Sequence, residues 1–185
     1  MELADGVILE PLNQSHAQGL FDLTEANREY LRNWIPWLDT TKAVTDTEQF
    51  VASAVALQEK GDGPTFILFY RGSMCGIVGY HKFNRRNHSG GIGYWLGQDY
   101  QGKGIITQAV GRLLDLGFGV FQLNKVEICC ASENHKSAAI PKRLGFVHDG
   151  TLRQNEWLYD HYVDHHVFSL LKSEYLQTRS SVCNE

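Results

Sequence analysis

The chain has 185 residues, of which 43% are hydrophobic and 21% are charged, and its formal net charge at pH 7 is −4. This length suits one domain with its own core, and the composition is that of an ordinary globular protein, which excludes a disordered chain. No stretch approaches the roughly 18–20 consecutive apolar residues of a transmembrane helix, and the weak negative charge argues against a broad nucleic-acid surface. We therefore treat residues 1–185 as a single domain, with a core at about residues 7–171, and expect no membrane or direct nucleic-acid partner.

Targeting and redox features are typical of a cytoplasmic protein. The first ten residues contain Glu2 and Asp5 and lack the basic region of a signal peptide. None of the cysteines forms a C-x-x-C pair, so we expect reduced thiols and neither a disulfide framework nor a zinc site. The cysteines are Cys75, Cys129, Cys130 and Cys183.

The N-terminal part predicts one strand and two helices. The strand covers Gly6 to Leu12, and near-helical apolar spacing predicts a helix from Ser15 to Tyr30. The aromatic segment 31–39 contains a proline and is expected to be a loop or a short helical turn. The pattern Thr45-x-x-Glu48 is that of a capping box and predicts the start of the second helix.

The central part predicts a β-meander followed by a helix. A glycine-rich turn from Gly97 to Gly104 separates the meander from the helix, which begins at Ile105 and carries apolar rows at helical spacing. The three strands of the meander are Thr65 to Tyr70, Met74 to Phe83 and Gly91 to Leu96.

The C-terminal part predicts three further strands around a short helix. Apolar and polar residues alternate around Val126–Cys130, and the helix Asn134 to Leu144 ends at Gly145. The last two strands are Phe146 to Arg153 and His161 to Leu171. The order β-α-α-β-β-β-α-β-α-β-β predicts a mixed α+β sheet with helices on both faces.

The glycine loop between the third strand of the meander and its helix is the motif of greatest chemical interest. Gly102 and Gly104 allow positive φ and close approach of a ligand, and the following helix presents free N–H groups and its positive dipole end to an anion such as pyrophosphate. Lys103 adds charge at the rim. The spacing is not that of a Walker A loop, and Thr107 stands where a dinucleotide-binding loop has Gly or Ala. A turn that only reverses the chain is the alternative, and the residues alone leave it open.

Three segments together resemble the GCN5-related N-acetyltransferase (GNAT) superfamily and, within it, the RimL-type ribosomal-protein N-acetyltransferases. They are Gly93–Leu96, Gln101–Ala109, and Asn134–Ser137 with the following Leu144-Gly145-Phe146. The resemblance covers roughly Val7 to Leu171 and depends on several motifs in the right order. The superfamily loop [QR]-x-x-G-x-[GA] is matched from Gln101 to Gly104, but Ile106 departs from its small last residue.

The resemblance implies a GNAT fold, with a mostly antiparallel seven-stranded sheet whose central strand pair splays apart at residues 94–96 and 128–130. It implies acetyl-CoA as cosubstrate, with its pantetheine arm in the cleft between these strands, and no metal. The residues expected to bind the cosubstrate are Tyr94, Trp95, Leu96, Gln101, Gly102, Lys103, Gly104, Ile105, Ile106, Thr107 and Asn134.

The resemblance also implies the residues of the transfer chemistry. Glu156 matches the position of a functional glutamate and is assigned as the general base, directly or through water; otherwise it is a solvated carboxylate at the end of a strand. Ser137 matches the residue that contacts the coenzyme A sulfur, and otherwise it is a serine in a first helical turn. His165 and His166 are neighbours on a predicted strand and face opposite sides, so they cannot chelate one metal ion together.

The acceptor side is less defined. Trp34, Trp37 and Asp39 are expected to line the amine pocket, with packing of a loop as the alternative. The acceptor implied by the resemblance is the N-terminal α-amine of a ribosomal protein, and a homodimer is also implied. A polyamine, amino acid or aminoglycoside acceptor, and a non-catalytic module that binds coenzyme A, are the other two interpretations.

Overall fold

The structure is a computed structural model that describes residues 1–182. Short 3-10 turns and seven β-strands accompany six α-helices in this part of the chain. The helices are α1 (Ala17–Ala26), α2 (Arg28–Leu31), α3 (Val44–Glu59), α4 (Ile105–Asp115), α5 (His135–Arg143) and α6 (Lys172–Val182). The strands are β1 (Val7–Pro11), β2 (Thr65–Tyr70), β3 (Ser73–Asn84), β4 (Ser89–Leu96), β5 (Lys125–Ala131), β6 (Val147–Leu158) and β7 (His161–Leu171).

All seven strands form one sheet in the order β1-β2-β3-β4-β5-β7-β6. Each neighbouring pair is antiparallel except β4 and β5, which are parallel. A parallel pair needs a crossover connection, and α4 supplies it. The predicted fold class, a mixed and mostly antiparallel seven-stranded sheet, is confirmed.

Helices cover both faces of the sheet, as predicted. On one face, α4 buries both of its apolar rows against the largest hydrophobic cluster, which includes Leu113 and Ile128. On the other face, a smaller cluster joins Leu20 of α1 and Val51 of α3 to Ile77 of β3. Removal of this apolar surface from water drives the packing of the layers. Within residues 1–182, no helix has the combined length and apolar character needed to cross a membrane.

The start of α3 differs from the predicted capping box. The helix begins at Val44, and the carboxylate of Asp46 accepts hydrogen bonds from the backbone N–H groups of Lys42 and Ala43, at 2.8 and 2.9 Å. These bonds lower the pKa of Asp46. The prediction based on Thr45 and Glu48 was wrong because Asp46, two residues before Glu48, reaches back over the first turn.

The predicted helix from Ser15 to Tyr30 is divided into α1 and α2. The break is at Asn27, whose side chain donates to the carbonyl of Leu23 at 2.9 Å and accepts from the backbone N–H of Gln98 at 2.8 Å. A contact made across 71 residues of sequence therefore ends α1. Asparagine favours such local competition with helix hydrogen bonds.

The last strand, β7, has the predicted bounds, but β6 extends further than predicted. Strand β6 continues past Arg153 to Leu158, through an irregularity in its pairing with β7 between Leu152 and Glu156. Gln154 has a φ of 50° there. The bulge inserts extra residues and interrupts the alternation of side chains between the two faces, from which strands are predicted. Helix α6 was not predicted.

After α4 the chain forms a π-helical turn, Leu116–Val120, that fits around Tyr80 of β3. The Tyr80 hydroxyl donates to the carbonyl of Leu113 at 2.9 Å, and a Cβ atom added to Gly117 would lie 2.2 Å from the Tyr80 hydroxyl oxygen. Position 117 must therefore be glycine, because any larger residue would clash with the Tyr80 hydroxyl group.

We expect Gly117→Ala to destabilise the protein by about 1–3 kcal/mol, because the new methyl group overpacks the core. In a Tyr80→Phe background the loss should be smaller, since the clashing oxygen is gone. Gly119→Ala is the control, because nothing lies within 4 Å of its added Cβ. Chemical denaturation of the four variants tests this coupling, and equal losses in both backgrounds would contradict it.

Candidate active site

The central feature of the site is the early end of the parallel pairing between β4 and β5. The two strands pair only from Ser89 to Ile92 and from Lys125 to Ile128, although β4 continues to Leu96 and β5 to Ala131. A cleft of about 1490 Å³ opens where they diverge. All of the predicted site residues line this cleft except Asp39.

The start of α4 lines the cleft with a geometry that suits an anion. Gly102 and Gly104 have φ values of 73° and 72°, and no side chain caps the helix that begins at Ile105. Nothing lies within 4 Å of a Cβ position at Gly102, so the loop leaves an open cradle in front of the free N–H groups of the first turn. Ile106 is 6% exposed and belongs to the core, so its larger side chain does not fill the cradle.

Three cationic side chains surround this cradle. Lys103 was predicted there, and its ammonium group donates to a backbone carbonyl of the same loop. Lys136 and Arg143 of α5 were not predicted, and they donate to the side chains of Gln101 at 2.8 Å and Thr107 at 3.0 Å. Their spacing of seven residues, two turns on one helix face, was the available signal. The free N–H groups at the start of α4 and the three cationic side chains around it together suit a diphosphate group.

A pair of hydroxyl groups lies on the α5 side of the cleft. The side chain of Asn134 caps α5 by accepting from the backbone N–H of Ser137 at 3.1 Å. The Ser137 hydroxyl donates to the Tyr94 oxygen at 3.2 Å, and the Tyr94 hydroxyl donates to the Ser137 carbonyl at 3.1 Å. Burial raises the pKa of Tyr94, so its hydroxyl remains protonated at neutral pH.

Cys130 lies beside this pair. Burial raises the pKa of its thiol to about 11, and the neighbouring Ser137 hydroxyl lowers it in part. A thiol with such a pKa is protonated at neutral pH and is not a reactive nucleophile. The hydroxyl of Tyr94 was missed from the sequence as a partner of Ser137, because strand alternation indicated its face but not what it contacts.

Glu156 lies inside β6, opposite Val163 of β7, and its side chain is 32% exposed. Glu156 thus lies two residues before the end of β6 and is partly exposed, and its role as the base stays a prediction. His165 of β7 lies on the same face, with its Nε2 atom 3.4 Å from the Glu156 Oε2 atom. No catalytic role was predicted for His165 from the sequence, although its spacing of two residues from position 163 indicates the shared face.

Aromatic side chains from the N-terminal part of the chain also line the cleft. Trp34 and Trp37 come from the segment between α2 and α3, and Phe50 comes from α3. Trp37 and Phe50 are both exposed. Phe50 was not predicted. Exposed aromatic side chains in a concave site are typical of a surface that binds a ligand.

Polar contacts hold this aromatic segment from outside the cleft. Arg28 donates to the carbonyl of Leu38 at 2.6 Å, and the Tyr159 hydroxyl, from the turn between β6 and β7, donates to the carbonyl of Ile35 at 2.5 Å. The segment is thereby fixed both to α2 and to the β6–β7 turn.

Asp39 belongs to this outer set of contacts. Its carboxylate accepts two hydrogen bonds from Arg32, at 3.1 and 2.9 Å, which lower its pKa. Arg32 in turn stacks over the ring of Tyr159 at 3.8 Å. Asp39 lines a second depression on this outer side and not the main cleft, so its contact with an acceptor stays a prediction.

The described part of the chain shows no candidate metal site. Residues 1–182 contain no group of three or more His, Cys, Asp or Glu side chains arranged to hold a metal ion. His165 and His166 face opposite sides: the Nδ1 of His165 lies 3.2 Å from the amide nitrogen of Asn155, and the Nδ1 of His166 lies 2.9 Å from the hydroxyl of Thr151.

Comparisons with known proteins give the family. A family model described as an acetyltransferase (GNAT) domain matches residues 7–147. The chain is 33% identical over 169 residues to a Bacillus subtilis protein named "Putative ribosomal N-acetyltransferase YdaF", covering 91% of each chain. It is 27% identical over 169 residues to the ribosomal-protein-serine acetyltransferase of Escherichia coli, covering 91% of this chain and 94% of that protein.

A solved structure shares the fold. RimL, a ribosomal L7/L12 α-N-protein acetyltransferase in complex with coenzyme A, superposes with a TM-score of 0.89 at 23% identity, covering 94% of this chain and 98% of RimL. The open cradle, the cations around it and the cleft fit the diphosphate and arm of this cosubstrate. The chain belongs to the GNAT acetyltransferase family and is an N-acetyltransferase that uses acetyl-CoA.

Proposed function

We propose that this enzyme transfers the acetyl group of acetyl-CoA directly to the N-terminal α-amine of a protein, with a ribosomal protein as the acceptor. The observation that carries the proposal is the position of Glu156, a carboxylate that lines the same cleft as Trp34, Trp37 and the start of α4. The names of the Bacillus subtilis and Escherichia coli relatives support a ribosomal acceptor.

Glu156 and Ser137 approach the cleft from opposite faces of the sheet. Cys130 pairs with His166, and the adjacent Ala131 pairs with His165, so these two pairs point to opposite faces. Ser137 lies beside Cys130, whereas Glu156 shares the face of His165. A base on one face and a hydroxyl donor on the other suit an amine that attacks a thioester from the side opposite to the departing sulfur.

The proposed mechanism divides the proton transfers between the two faces. Glu156 removes a proton from the acceptor ammonium, and the neutral amine then attacks the thioester carbonyl. As the C–N bond forms and the C–S bond breaks, the Ser137 hydroxyl turns from Tyr94 and donates a hydrogen bond to the departing thiolate of coenzyme A. The thiolate takes up the proton that the nitrogen loses as it becomes an amide, so the products are the amide and the free thiol of coenzyme A. An α-amine has a pKa of about 7.7–8.0, whereas that of lysine is about 10.4. A larger fraction of an α-amine is therefore already neutral near pH 7, and a weak base such as a carboxylate is enough to deprotonate the rest.

Charge in the cleft fits an acceptor with one amine. Three carboxylates line the cleft, those of Asp5, Asp46 and Glu156. Asp46 already accepts two backbone hydrogen bonds, and Asp5 lies in the turn that precedes β1. Glu156 is the one carboxylate of the cleft that is carried by the sheet, whereas a polyamine would need several carboxylates to pair with its charges.

The same proposal includes the cellular compartment and the oligomeric state of the enzyme. We infer that the enzyme acts in the cytoplasm, where ribosomal proteins are made, and that it forms a homodimer. Strand β6 lies at the edge of the sheet and exposes Val147, Leu152 and Trp157, which offer apolar surface to a second copy.

A panel of acceptors tests the proposed function. We expect release of the coenzyme A thiol with peptides that have a free N-terminal α-amine, and much slower release with the same peptides acetylated at the N-terminus but carrying an internal lysine. Spermidine and an aminoglycoside represent small amines. Turnover only with these small amines, or tight binding of coenzyme A without turnover, would contradict the proposal.

We expect Glu156→Gln to lower kcat by about 10²–10⁴-fold, because the amide cannot accept the amine proton. The affinity for acetyl-CoA should change little, since the diphosphate lies at the start of α4. Glu127→Gln is the control: this carboxylate also lies on a strand, but it pairs with Lys125 and is outside the cleft. Steady-state kinetics and calorimetry measure the two quantities, and unchanged turnover in Glu156→Gln would remove it from the mechanism.

We expect Arg143→Ala to weaken coenzyme A binding by about three- to tenfold at low salt, because one cation beside the α4 anion site is lost. The difference should shrink as ionic strength rises. Arg85→Ala is the control, since Arg85 pairs with Asp62 and does not line the cleft. Calorimetric titration at two salt concentrations checks this, and an equal loss in both variants would count against the assignment.

A further inference from the structure

A buried ring nitrogen beside the proposed base has no hydrogen-bond partner. The Nε2 atom of His165 is fully buried, and its side chain is 13% exposed. Its distance of 3.4 Å to Glu156 Oε2 is short enough for an ion pair, but the two groups are not aligned for a hydrogen bond. An unpaired buried polar atom is costly and rare, so its position next to a functional carboxylate calls for an explanation.

The other ring nitrogen of His165 determines which one carries the proton. The side-chain amide nitrogen of Asn155 is 3.2 Å from Nδ1. An amide N–H donates, so Nδ1 accepts, and the proton of a neutral imidazole is then on Nε2. The N–H group of His165 therefore points toward Glu156.

Glu156 lacks any other group to fix its carboxylate. Within residues 1–182 it has no hydrogen bond, and His165 is its one ion-pair partner. The bulge between Leu152 and Glu156 turns the side chain onto the face of His165, and the backbone N–H of Gln154 donates to Asp164 at 2.7 Å and holds that bulge. The backbone is thus fixed while the carboxylate is free to rotate.

We propose that His165 is a positioning residue for Glu156, a proposal that rests on the proposed function. The Nε2–H group donates to the carboxylate after a small rotation of the Glu156 side chain. This hydrogen bond holds one carboxylate oxygen, and the other oxygen faces the acceptor amine. His165 acts through Glu156 and does not touch the substrate.

Two substitutions at position 165 separate this role from packing. His165→Phe keeps the bulk of the ring and removes the donor, whereas the amide nitrogen of His165→Gln takes the place of Nε2. We expect the Phe variant to lose about tenfold or more in kcat, the size of one lost hydrogen bond to a charged group, with an unchanged KM for acetyl-CoA. The Gln variant should stay within about threefold of wild type.

A double-mutant cycle shows whether the effect passes through Glu156. In a Glu156→Gln background, His165→Phe should change kcat by less than about twofold, because the carboxylate that it positions is gone. His166→Gln is the matched control: it is the adjacent histidine, faces the opposite side and contacts Thr151. Thermal unfolding confirms that all variants are folded.

Each outcome decides between the two roles. Equal losses in the Phe and Gln variants, or a loss from His165→Phe that persists in the Glu156→Gln background, would overturn the positioning role. Full activity of His165→Phe would overturn it as well. Full activity of Glu156→Gln alone would instead overturn the proposed base, so failure of the two proposals can be told apart.

Discussion

The divergence of β4 and β5 is the constraint on which the rest of the site depends. Their pairing stops at Ile92 and Ile128, so beyond these residues the facing edges of both strands have backbone groups with no strand partner. Such groups need a ligand or water. The two helices that follow these strands, α4 and α5, begin beside the same opening, and their first turns therefore bring the anion cradle and Ser137 to one cleft.

The sheet also separates two kinds of chemistry. Neighbouring residues on a strand point to opposite faces, so Cys130 and its neighbours lie on one side of the sheet, and Ala131 and its neighbours lie on the other. One side holds the partly buried hydroxyl groups of Tyr94 and Ser137, and the raised pKa of Tyr94 keeps its hydroxyl protonated and able to donate a hydrogen bond. The other side holds the half-buried carboxylate of Glu156 beside His165. A fold with one flat, evenly paired sheet would have no gap through which the two sides meet.

The sequence predicted the parts of the molecule that depend on local pattern. The succession of seven strands along the chain, α4 with its two apolar rows and the glycine loop follow from periodicity and backbone freedom, and the structure has them. What was missed depends on contacts between distant segments: Asn27 ends α1 through Gln98, the bulge near Gln154 extends β6, and Tyr80 fits against Gly117. No local pattern encodes such contacts.

Site residues divide in the same way. Motif positions such as Gly104, Asn134 and Ser137 were predicted through the resemblance to a known family, and they line the cleft. Lys136 and Arg143 were missed because a cation on a helix face has many other uses, and only the packing of α5 beside α4 brings them to the cradle. The contacts of the aromatic segment also depend on a distant part of the chain. Tyr159, in the turn that directly follows β6, holds the segment that carries Trp34 and Trp37. The aromatic segment and the strand that bears Glu156 are therefore joined, so a change in that segment also shifts the Glu156 carboxylate.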